Sequence, residues 1–165
     1  MNKNFKQIKE DIYDNCGLKL SHYQEEKESK EYEACTFQLN ELKIISRSSK
    51  ITPKKTGQFV TFWKRQGAGP IAPFDDTDSF DYFVVNVRIE NKLGQFVFPK
   101  SVLIKKGIIS TSKKEGKRAI RVYPIWDTPL NATAIRTQKW QLDYFVDLNN
   151  SSEIVTLKSL YGITN

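Results

Sequence analysis

"FDYFVVNVRI", residues 80–89, decides the fold: β-branched and aromatic side chains run through it, so it reads as a strand and as the central one. Working outward, "NKLG" (91–94) turns the chain with Gly94 supplying the turn, and "QFVFP" (95–99) pairs back as a hairpin. On the other side, "RQGAGPIAPFDDTDS" (65–79) reads as a Gly/Pro/Asp loop, "QFVTFW" (58–63) as a strand and "KITPKKTG" (50–57) as a basic loop broken by Pro53. Before them, "EACTFQL" and "LKIISRS" alternate about an Asn40-Glu41 turn, which predicts a hairpin over 33–48. In its second arm Leu42, Ile44 and Ser46 share one face, and Lys43, Ile45 and Arg47 the other.

Helices are predicted toward the two ends. Phe5, Ile8, Ile12 and Tyr13 stand at helical spacing over 3–15, and Cys16-Gly17 ends the pattern. The acidic stretch "HYQEEKESKEYE" (22–33) is either an exposed helix or a loop, since its periodicity does not decide. Past the central hairpin, "SVLIKKGIIS" is a short helix or strand, "TSKKEGK" a mobile basic loop, and "RAIRVYPIW" a strand ended by Pro124. Asn131 and Thr133 open a second major helix, with Ile135, Trp140, Leu142, Tyr144 and Phe145 along its apolar side. In the tail, 149–165, Ile154, Leu157 and Leu160 or Tyr161 fit a short docking helix. The order of helix, strands, helix gives an α/β domain, α+β in places: a central mixed β-sheet flanked by helices, with 1–165 as a single domain.

Gly-Gln-Phe-Val occurs twice, at 57–60 and 94–97. Nothing around the two copies matches, so they read as shared local grammar, glycine for a turn and Phe-Val for a strand, rather than as a repeat.

At 165 residues the chain can bury a core without disulfides or structural metal. Two cysteines without CxxC spacing and a single histidine exclude a structural zinc site. No apolar run reaches membrane length, and the N-terminal residues lack the apolar stretch of a secretion signal, so a cytoplasmic protein with no membrane partner is expected.

The net charge of +7 is concentrated in two segments. Residues 43–65 carry Lys43, Arg47, Lys50, Lys54, Lys55, Lys64 and Arg65 with no acid. Residues 99–121 carry Lys100, Lys105, Lys106, Lys113, Lys114, Lys117, Arg118 and Arg121 against Glu115 alone. Trp63 in the first segment and Trp126 just beyond the second add rings to the cations. Charge to displace counterions and rings for unpaired bases are what a groove tracking a nucleic-acid backbone requires. The alternative is a solubilising surface over core tryptophans.

Other chemistries find little support. His22 lies in a charge-rich stretch with no GxSxG elbow, and neither a P-loop nor GxGxxG is present. A magnesium-dependent nuclease needs only two or three acids and a lysine, and Glu33, Glu41 and the aspartates at 75, 76, 78 and 81 are the candidates. Glu-x-Lys spacing recurs five times in the chain, however, and the aspartates read as a solvated loop.

"YEACTFQLN", "ITPKKTGQFVTFWKR", "GQFVFPKSVL", "GKRAIRVYPIW" and "TQKWQLDYF" resemble, in order and over about residues 31–147, the blocks of the MepB-like family of small bacterial proteins. The resemblance implies a restriction-endonuclease-like fold, the PD-(D/E)xK architecture. In such nucleases an acid lies on one strand and Glu-x-Lys on the next. Glu33 fits the first role, but the following arm, Ile45 to Lys50, carries no carboxylate, so catalysis is expected to be lost or divergent. The family blocks instead supply Arg47, Lys50, Lys54, Lys55, Gln58, Lys64, Lys117, Arg118, Gln138 and Lys139, which together with Trp63 and Arg121 suit phosphate and base contact. The expected function is nucleic-acid binding, with DNA the expected partner, through the two basic segments. The alternatives are an active nuclease with Glu33 as catalytic acid, or a module for a protein or an anionic ligand. No cofactor is expected unless the chain cleaves, in which case the cofactor is magnesium, for which no ligand set is assigned.

Overall fold

Why the 80–89 stretch is apolar without alternation follows from its place in the computed structural model, which describes residues 1–163. Strand β8 (Tyr82–Ile89) lies inside a six-stranded sheet, parallel to β3 (Leu42–Ser48) on one side and antiparallel to β9 (Lys92–Pro99) on the other. Beyond β3 come β2 (Cys35–Leu39) and β1 (Leu20–Glu25), and beyond β9 comes β11 (Phe145–Asp147), all antiparallel to their neighbours. The domain is thus mixed α+β about a central mixed sheet. Both faces of that sheet are covered, and successive residues point to opposite sides. Ile44 and Val84 join Phe5, Ile8, Tyr13, Phe37, Leu157 and Tyr161 in one core, whereas Ile45, Phe83 and Val85 join Val60, Phe62, Phe98, Leu103 and Val122 in the other.

The first core is roofed by both ends of the chain. Helix α1 (Lys3–Ile8), capped by the Asn2 side chain, continues through a π-helical stretch, Lys9–Tyr13, and a 3-10 turn to the left-handed Gly17, as the 3–15 pattern predicts. Helix α4 (Ile154–Leu160) is the expected docking helix of the tail, with Leu157 buried; Thr164 and Asn165, the last residues of the 149–165 segment, lie outside the described residues.

The second core is roofed by a three-stranded sheet in the order β10-β5-β4, built from β4 (Lys50–Thr52), β5 (Lys55–Thr61) and β10 (Ala119–Val122). Helix α2 (Lys100–Lys105) and helix α3 (Ala132–Gln141) stand beside it, and Asn131 caps α3 as predicted, accepting from the Ala134 amide. A two-stranded ribbon, β6 (Trp63–Arg65) with β7 (Ile71–Pro73), completes the described elements. No helix among the described residues is long and apolar enough to cross a membrane.

Several local expectations change. The "basic loop" 50–57 is a hairpin, β4 turning into β5 at Pro53-Lys54, and part of the 65–79 loop is strand β7. The undecided acidic stretch begins as edge strand β1, bulged at the positive-φ His22; charge is what an edge strand carries to discourage further pairing. The second major helix stops at Gln141, and Phe145, expected on its apolar side, opens β11.

The two Gly-Gln-Phe-Val copies share a different reason from turn chemistry. Gly57 and Gly94 both lie within strands, and the turn before β9 is made by Glu90 and Asn91. A Cβ on Gly94 would sit 2.5 Å from the Phe145 ring, and one on Gly57, whose φ is +84°, would sit 2.6 Å from the Tyr123 ring. Each glycine makes room for an aromatic ring, and each following glutamine, Gln58 and Gln95, is buried and hydrogen-bonded.

Candidate nucleic-acid interface

The β10-β5-β4 sheet joins the two basic segments strand to strand. Arg121 on β10 stands opposite Phe59 on β5, and Phe59 stands opposite Lys50 on β4, so the three share a row on one face. The ladder runs on past Thr61, where the Phe62 amide donates to the Arg118 carbonyl at 2.8 Å. Tyr32 packs against Phe59 with ring centroids 6.1 Å apart, and the Lys50 ammonium lies 5.0 Å from the Tyr32 ring centre. Arg121 reaches across β5 to donate to Thr52 Oγ1 at 2.7 Å. Lys54 and Lys55 stand exposed at the hairpin turn.

Beyond β10 the surface dips into a cleft of about 400 Å³ against α3. Lys106, Lys117 and Arg121 line it with Tyr123, Trp140 and Gln141, and no carboxylate takes part in its wall. The Lys106 ammonium stands 5.2 Å from the Trp140 ring centre. Gln141 is 1% exposed and closes the seam between helix and strand edge: its Nε2 donates to the Arg121 carbonyl and its Oε1 accepts from the Tyr123 amide, both at 2.9 Å. Lys139 is exposed on α3, while the Gln138 amide donates to the Pro124 and Asp127 carbonyls and pins the 124–127 turn.

Three more bases of the first segment sit elsewhere, in a larger cavity of about 690 Å³ bounded by Arg47, Trp63, Lys64 and Arg65 and also by Glu25, Glu26 and Glu28, while Lys43 donates to Ser79 Oγ. There the positive charges are met by acids. Arg47 is 2% exposed; its Nη1 donates to Ser29 Oγ and to both oxygens of Thr61, and its Nη2 to Glu26 Oε2 and the Trp63 carbonyl. Burial lowers its pKa and the Glu26 carboxylate opposes that shift. Lys64 is clamped at 2.8 Å by both Asp75 and Asp78. Burial pulls the Lys64 ammonium down in pKa, and hydrogen bonds to the two aspartates outweigh it, so the net shift is upward. Asp75 falls to about 2, chiefly through the Lys64 hydrogen bond and then that from Thr77. Arg65 pairs with Glu28 at 3.0 Å and lies over the half-buried Trp63 ring. Arg118 pairs with Glu115 at 2.9 Å, and Gln58 is enclosed, bonded to Ser49 and the Arg88 carbonyl.

The predicted contact residues therefore divide. Lys50, Lys54, Lys55, Lys117 and Arg121 gather on or beside the three-stranded sheet, with Lys139 on the helix next to it. Arg47 through its terminal nitrogens, Gln58 and Gln138 donate to protein partners, as Arg121 does to Thr52, Thr56 and Gly57, and Lys64 and Arg118 are ion-paired. Sequence reasoning did not single out Lys106, Tyr123, Trp140 or Gln141; for Lys106 the signal was present, since it belongs to the second basic segment.

Glu33 caps a one-turn 3-10 helix, Lys30–Tyr32, in a left-handed conformation at φ 51°, and accepts from the Asn4 amide at 3.2 Å. That donor set does not fit a magnesium ion, which needs several oxygen ligands. Among the described residues no three His, Cys, Asp or Glu side chains gather to hold a metal.

No curated protein matches the chain. A solved structure described as "Crystal Structure of MepB" is 38% identical, with a TM-score of 0.79 over 92% of this chain and 100% of that one. The family description "MepB-like" matches residues 26–147, which contain all of the resembling blocks. With that match over most of its length, the chain belongs to the MepB-like family.

Proposed function

We propose that this protein binds nucleic acid, with DNA the first partner to test, along the outer face of the β4–β5–β10 sheet and the adjoining α3 cleft. One observation carries the reading: two basic segments far apart in the chain are paired in one small sheet, beside a cleft walled by Lys106, Lys117 and Arg121 without a carboxylate. Unpaired surface cations attract a polyanion by releasing its counterions, whereas those matched by acids, such as Lys64, contribute little. A helix followed by a mixed sheet and further helices is compatible with the proposed restriction-endonuclease-like ancestry, in which the nuclease chemistry is lost or divergent, and the protein is proposed to act in the cytoplasm. The Glu33 carboxylate, engaged by the Asn4 side-chain amide, is consistent with that reading.

The test is a salt titration of duplex and single-stranded DNA binding by fluorescence anisotropy. With about four to six phosphate contacts, affinity should fall with a log–log slope on the order of −3 to −5. Lys54→Ala/Lys55→Ala should shorten that slope. Absence of binding at low salt would overturn the reading.

A further inference from the structure

The α3 cleft differs from the rest of the cationic face in being a bounded recess between a helix and a strand edge. Gln141 bridges α3 to the Arg121 carbonyl and the Tyr123 amide, so the seam is shut where β10 finishes. The volume, about 400 Å³, lies toward the small end of the range of roughly 300–1,000 Å³ typical of small-ligand pockets, which leaves room for one nucleotide and none for a duplex. Its wall combines two half-buried rings, Trp140 and Tyr123, with the exposed Lys106 and Lys117, while the Arg121 guanidinium is turned across β5 toward Thr52, Thr56 and Gly57. A phosphate diester carries one negative charge, whereas a terminal monoester carries about −1.5 to −2 at neutral pH. Two ammonium groups with no opposing acid in the wall match the more highly charged group, and the rings offer an apolar surface to a base.

We propose that the β10–α3 cleft holds the terminal nucleotide of a strand and recognises its phosphate monoester. This rests on the nucleic-acid reading and narrows it from the length of a strand to its end.

The experiment compares short single-stranded oligonucleotides bearing a 5′-phosphate, a 3′-phosphate or neither, with a nucleoside monophosphate and inorganic phosphate as competitors. One phosphorylated form should bind about tenfold more tightly than the unphosphorylated strand, the scale of one added charge-assisted contact. Which end is preferred gives the polarity. In Lys106→Ala/Lys117→Ala, both exposed positions, that ratio should collapse toward one. In Lys54→Ala/Lys55→Ala all three strands should weaken while the ratio holds. The nucleoside monophosphate should compete better than inorganic phosphate; equal competition would overturn the nucleotide assignment. Equal affinity for all three strands, with binding intact, would overturn the inference and leave the proposed function standing. Failure of every strand to bind would remove both.

Discussion

At Arg47 both terminal guanidinium nitrogens meet protein acceptors, and the side chain ties β3 to β5, β6 and the Glu26–Ser29 segment. Truncation would open a cavity and leave the acceptors on Ser29, Thr61 and Trp63 without their donor, so Arg47→Ala should cost about 3–5 kcal/mol, read from the urea midpoint, with Glu26→Gln, which keeps an acceptor for Nη2, milder. From sequence alone Arg47 was indistinguishable from its basic neighbours, because a run of cations does not say which of them folds inward. The same holds for Lys64, whose partners Asp75 and Asp78 looked like a solvated loop. Asp75 carries a pH dependence. Its folded pKa, about 2, is below the ordinary 3.8, so its contribution is full above roughly pH 4 and is lost as pH falls through 2. Asp75→Asn should therefore be less stable than wild type at pH 6, with the gap in melting temperature narrowing toward pH 2.

Among the elements, those marked by alternation, a continuous apolar run or a cap were legible: the β2–β3 hairpin with Asn40 at φ 55° in its turn, the apolar β8, and helix α3 through Asn131, although Ile135, expected on its apolar side, is exposed. Elements defined by a neighbour were not. Strand β1 is polar because it is an edge, and β11 is three residues long and exists because β9 offers it an edge. The glycines of β5 and β9 belong to the same class, since the rings that require them come from Tyr123 and Phe145, far along the chain. Gly94→Ala should destabilise by about 1–3 kcal/mol through overpacking against Phe145, measured by denaturant unfolding. A Phe145→Leu change should recover part of the loss in the double variant, whereas independent, additive costs would show that ring contact is not the cause.

For the whole molecule, the two-faced core followed from the central strand, and the two basic segments were expected to act together, but their partition into a face whose lysines form no ion pair among the described residues and an acid-matched cavity was not legible. So did the polar chain across the first core. Tyr13 and Tyr161 hydroxyls lie 2.8 Å apart, Tyr161 donates to Gln95 Oε1 at 2.7 Å, and Gln95 donates to Tyr13 and to Asn86. Burial, only partly offset by the Tyr161 and Gln95 hydrogen bonds, pushes the Tyr13 phenol up to about 12, so it stays protonated as a donor. Gln95→Leu strands several of these groups and should cost about 1–3 kcal/mol or more by thermal unfolding, exceeding Tyr161→Phe. The single parallel step of the large sheet, β3 to β8, has a kinetic side. Residues 49–81, carrying four of the smaller strands, must be gathered into a loop before the central strand can register. That closure entropy is met before any contact rewards it, so assembly should be slow among domains of this size, and a nick in the Gln66–Gly69 turn should impair refolding more than it loosens the native state.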